Sequence, residues 1–173
     1  MKGKSVAMLF LTLGMLCGRC MAGQALGLPC SPAAAAVLQA NPDIWVFELD
    51  RLHSTHLRDA LARSPGSELK IWSTYMRAHM SEGTILSDSQ REQFIRWLLN
   101  PKNHMTYGII DFMSRPAIGC VITSDHDSFT LFLNAPALVL EYYPERYSRS
   151  DILNDAGARR LRRMTQDWGM PID

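Results

Sequence analysis

Ile118-Gly-Cys-Val-Ile-Thr123 and Phe129-Thr-Leu-Phe-Leu133, separated by Ser124-Asp-His-Asp-Ser128, give the clearest strand signal in the chain. β-branched and aromatic side chains suit a pleated surface, and Asp and Ser favour turns because their oxygens bond nearby backbone amides. The segment therefore predicts an antiparallel hairpin near residues 117–134. A hairpin alone is marginal in water, so its apolar side needs a helical layer to pack on.

The flanking sequence supplies helical periodicity. Asn41-Pro42-Asp43 reads as a helix start, after which Trp45, Leu49, Leu52, His56 and Ala60 recur at three- and four-residue spacing as far as about Ala62. Ser64-Pro65-Gly66 stops that helix. A second runs from about Ser67 to Glu82-Gly83 with Leu69, Trp72, Met76 and Met80 on its buried side, and the short turn between them predicts an antiparallel pair. Ser87-Asp-Ser-Gln90 has the form of a capping box opening a third helix to Leu99, with Phe94, Trp97 and Leu98 inward.

Met105 to Met113 is read as a further helix, and Ala137 to Tyr143, bracketed by Pro136 and Pro144, as a strand or a short helix. The last helix is expected from about Ser150, with Leu153, Gly157, Leu161, Met164 and Trp168 on one face and Gly169-Met-Pro171 as its stop. The expected fold is mainly α (α+β): about five helices with one small antiparallel hairpin. No repeat and no Pro/Gly-rich linker divides the chain, so residues 23–173 read as a single domain.

The start of the chain carries an address. Lys2 and Lys4 precede an apolar block, Val6 to Leu16, and then small residues, which reads as a secretory signal peptide over 1–22 cut after Ala22. The block is shorter than the roughly 20 residues a transmembrane helix needs, so no permanent membrane span is expected. The periplasm is the expected destination, the extracellular space the other one. Losing Lys2, Lys4 and Arg19 takes the formal net charge from +1 to −2, which argues against nucleic acid as a partner. Two cysteines remain, Cys30 and Cys120, and an oxidising compartment predicts a disulfide between them.

Candidate site residues are few. His53 and His56 stand at i,i+3 spacing on the expected first helix, and His79 follows on the next, so the three are weak candidates for catalysis or, for His53 and His56, metal binding. The same pattern describes hydrogen-bonded packing histidines, because His-x-x-His lacks the glutamate of a metalloprotease helix. No cofactor motif is present and none is expected. Arg159, Arg160, Arg162 and Arg163 lie opposite the apolar stripe of the last helix and predict a basic face. Tyr142, Tyr143 and Arg146 add an aromatic and arginine concentration of the kind found at interface hot spots.

These features predict an exported protein-binding domain, in the manner of an inhibitor or immunity protein that blocks an enzyme of the cell envelope. Two other readings stand beside it. One is a small envelope hydrolase using His53, His56 or His79 with a carboxylate or metal, and the other is a structural subunit of an envelope assembly.

Overall fold

A strand that is apolar at nearly every position has no face to give to water and must be covered above and below. Ile118–Thr123 is such a strand, with five of its six residues buried. The computed structural model describes residues 32–49, 55–63, 68–105, 116–125, 127–134, 138–143 and 146–172. In chain order they form α1 (Pro32–Gln39), β1 (Asp43–Glu48), α2 (Thr55–Arg63), α3 (Glu68–Ala78), a 3-10 turn (Met80–Glu82), β2 (Thr84–Ile85), α4 (Asp88–Leu98), a second 3-10 turn (Pro101–Asn103), β3 (Ile118–Thr123), β4 (Ser128–Asn134), β5 (Leu138–Tyr143), β6 (Arg146–Ile152) and α5 (Asp155–Asp167).

The strands make one antiparallel sheet in the order β2-β1-β3-β4-β5-β6. β3 and β4 pair as the sequence suggests, Cys120 opposite Leu131 and Ile122 opposite Phe129. They are the middle of a six-stranded sheet, however, and not an appended hairpin. The mainly α expectation with one small hairpin is thereby overturned.

The largest misreading is at β1. Asn41 adopts φ 55° and Pro42 is buried, but the chain then extends instead of coiling. Ile44 and Val46 face one layer while Phe47 faces the other. A strand buried on both faces is a continuous apolar run, and such a run satisfies a helical wheel as readily as a strand. The helix expected from Asp43 begins only at Thr55, and the last helix begins at Asp155 because residues 146–152 form β6. Ala137–Tyr143 resolves as strand over 138–143. Beyond Met105, the helix expected to Met113 lies outside the described residues.

Period-two alternation gives the central strands two apolar faces. On one, Val46, Cys120 and Leu131 pack against α1, against Phe94 and Leu98 of α4, and against Leu161 and Met164 of α5. On the other, Phe47, Val121 and Phe132 pack against Leu57 of α2 and against Trp72 and Met76 of α3. The result is three layers, helix, sheet and helix. α3 comes closest at Gly119, where any Cβ would run into the Met76 sulfur. Beside that contact a polar seam ties α3 to β4: Ser73 Oγ and Thr130 Oγ1 lie 2.8 Å apart, both buried, and Arg77 donates to the Ser128 hydroxyl.

Local signals set the ends of α4 and α5. Ser87 and Gln90 form the reciprocal capping box at α4, and Asn154 caps α5 by accepting from the Gly157 amide at 2.9 Å. At the other end Gly169, at φ 76°, donates to Gln166 O while Met170 donates to Thr165 O, the paired bonds of a Schellman stop. No helix among the described residues is long and apolar enough to cross a membrane.

Candidate functional site

α4 and α5 lie side by side on one face of the sheet and run in opposite directions. The Trp97 indole N–H donates to Gly157 O at 3.0 Å near one end of the pair, and the Gln90 amide donates to Asp167 O at 3.3 Å near the other. Their register is held by a buried polar junction. Asn103, fully buried, donates from Nδ2 to Trp97 O at 2.7 Å, accepts from Arg160 at 2.9 Å on Oδ1, and takes the Asn154 amide on its backbone carbonyl at 3.0 Å. Buried amides earn their place only when all such groups are met, and here they are. Gly157 allows the approach, since a Cβ there would strike the Asn103 carbonyl.

Outside this junction the two helices leave a groove of about 550 Å³, within the range of ordinary ligand sites. Trp97 and Met164, almost wholly buried, form its floor. Ser89, Gln93, Arg96 and Asn100 line it from the α4 side and Arg160 and Arg163 from α5. Three guanidinium groups thus face one cleft. Arg96 meets Glu92 at 3.2 Å in a solvent-exposed i,i+4 pair, a contact of little strength. Arg160 is oriented by the neutral Asn103 amide, and Arg163 makes no hydrogen bond or ion pair among the described residues. Most of the positive charge in the cleft is therefore available to a ligand.

The four arginines predicted as one basic face divide into two pairs. Arg160 and Arg163 line the groove and Arg159 and Arg162 do not; Arg162 lies about 160° round the helix from Arg160, whereas Arg159 adjoins Arg163 at i,i+4 spacing. Sequence reasoning missed Arg96 and the α4 wall. The polar stripe Ser89, Gln93, Arg96, Asn100 is visible at helical spacing, but nothing in it names the helix it will face.

The remaining candidates are scattered. His53 lies outside the described residues, and His56 falls in α2 with its side chain outside them. His79 is exposed: it follows α3, stacks on Tyr75 with ring centroids 4.2 Å apart and bonds Tyr75 O through Nδ1 at 3.0 Å. Tyr142, Tyr143 and Arg146 stand on the β5–β6 pairing, Tyr143 opposite Arg146. Between β3 and β4 the Ser124 amide donates to Asp127 O at 2.9 Å. Among the described residues no three His, Cys, Asp or Glu side chains gather to hold a metal ion.

Cys120 is a fully buried thiol on β3, and burial pushes its pKa well above the ordinary range. Cys30, its expected partner, lies outside the described residues. No protein family, curated protein or solved structure matches the chain.

Proposed function

We propose that this chain is an exported domain that binds another protein, and that the groove between α4 and α5 is its contact surface. The observation that carries this reading is the convergence of Arg96, Arg160 and Arg163 over the apolar floor of Trp97 and Met164. Arginine beside a buried aromatic is the composition of interface hot spots, where a planar, charged fork meets a desolvated anchor. The surface belongs to regular helices fixed by buried hydrogen bonds, so little ordering would be needed on binding. An inhibitor or immunity protein acting on an enzyme of the cell envelope is the form of this function we favour, because such a protein needs a rigid, charged recognition face and no catalytic group of its own.

Site-directed photocrosslinking tests the reading. A benzoylphenylalanine at Gln93, on the groove, is compared with one at Lys70, exposed on α3 in the opposite layer. The expected result, in extracts of the envelope of the source cell, is one protein captured from Gln93 and not from Lys70. Capture from both alike, or from Lys70 alone, would sink the groove as the contact surface.

A further inference from the structure

We infer that the groove is a carboxylate reader: its occupant is a short acidic segment of the partner protein with an aliphatic side chain set between the acids. The inference rests on the docking reading of the same surface and adds the chemistry of what docks.

Three observations converge on it. The first is charge. Arg160 and Arg163 stand on successive turns of one wall, about 5–6 Å apart at Cβ, with Arg96 across the cleft. Guanidinium forks match carboxylates bidentately, and among the described residues the only carboxylate meeting one of the three is the exposed Glu92. The second is the floor. The Trp97 indole N–H is already given to Gly157 O, so Trp97 and Met164 offer an incoming group apolar surface and no hydrogen bond. An aliphatic side chain suits that floor, and a polar one would be desolvated without a partner.

The third observation is the boundary. From Ser89 to Asn100 the α4 wall extends about 16 Å, enough for roughly five residues of extended peptide. Asp88 is exposed at the start of α4, and Asp155 and Asp167 at the two ends of α5. A polyanion continuing past the groove would meet these carboxylates, whereas a short acidic segment would not. The positive field is confined, which favours a peptide over a nucleic-acid backbone or a lipid surface.

The test uses a fluorescein-labelled peptide, Glu-Glu-Leu-Glu-Glu-Leu-Glu, and its Gln-for-Glu counterpart, with binding to the purified protein read by fluorescence anisotropy at low ionic strength. The acidic peptide is expected to bind at least about tenfold tighter than the Gln peptide, and to lose about tenfold on Arg163→Glu with a smaller loss on Arg163→Gln. Because Arg163 has no hydrogen-bond or ion-pair partner among the described residues, both variants should melt with the parent protein, and Lys70→Glu, exposed on α3 in the opposite layer, should bind as the parent does. Equal binding of the two peptides would overturn the inference, as would no binding of the acidic peptide, a Lys70→Glu loss matching that of Arg163→Glu, or tighter binding of an oligothymidine or of phosphatidylglycerol vesicles. If crosslinking from Gln93 succeeds while the peptides are not discriminated, the docking surface stands and the carboxylate chemistry falls.

Discussion

Gly157 shows how much one missing side chain decides. In the first turn of α5 an alanine would be worth about 1 kcal/mol more than glycine by helix propensity alone. Against that, a Cβ would press on the backbone carbonyl of Asn103, which cannot move without breaking its bond from Asn154. Overpacking of this kind costs about 1–3 kcal/mol, more where backbone is the obstacle, so Gly157→Ala is expected to lower the thermal midpoint. A raised midpoint would show that the junction yields easily. Cys120 is the other instructive residue. Wholly buried and disfavoured as a thiolate, it should resist iodoacetamide in the native, reduced protein at pH 8 and react once guanidinium unfolds the chain. Rapid labelling of the native protein would contradict its burial. The sequence presents Cys120 as a disulfide half and Gly157 as one position of an apolar stripe, because neither its neighbour across the sheet nor its neighbour across a helix pair is local.

At the scale of elements, legibility follows how local each signal is. The capping box of α4 is complete within four residues and is read correctly, Ser87 accepting from the Gln90 amide and Gln90 returning the bond. Ser87→Ala should cost about 1 kcal/mol, seen as a lower urea midpoint with an unchanged slope. No change would mean that packing of Phe94, Trp97 and Leu98 holds the helix start unaided. The stop of α5 at Gly169 is equally local and equally visible. β1 is the contrary case. Ile44-Trp-Val-Phe47 is buried on both faces, and only the cover supplied by α3 on one side and by α1 and α4 on the other makes the extended form the better one. β6 is similar: Arg146 to Ile152 is polar enough to read as a helix approach, and becomes a strand because β5 offers it a ladder.

For the whole molecule, the groove exists only because α4 and α5 meet. Asn103 is the residue that couples them, so Asn103→Ala should be among the most damaging single changes. It removes the short bond to Trp97 O, which keeps only the longer one from the Asn100 amide, and the acceptor that orients the exposed Arg160, at a cost of about 1–3 kcal/mol. Binding of an acidic segment should weaken in the same variant, a loss measurable by the anisotropy assay below its melting temperature. The expected leader cut after Ala22 is compatible with this architecture, because α1 places Ala34, Val37 and Leu38 in the core and must survive processing. The proposed cut predicts an intact mass that begins at Gly23, and a start beyond Pro32 would contradict the role of α1. By itself the sequence determined what is written within a few neighbouring residues: the cap of α4, the stops of α4 and α5, the pairing of β3 with β4 and the arginine-rich side of α5. Tertiary structure decided the rest, namely the six-stranded sheet, its two helical layers, the division of the four arginines and the cleft that joins Arg160 and Arg163 to Arg96. Those depend on burial by residues up to a hundred positions away, and a local pattern carries no record of which distant surface will cover it.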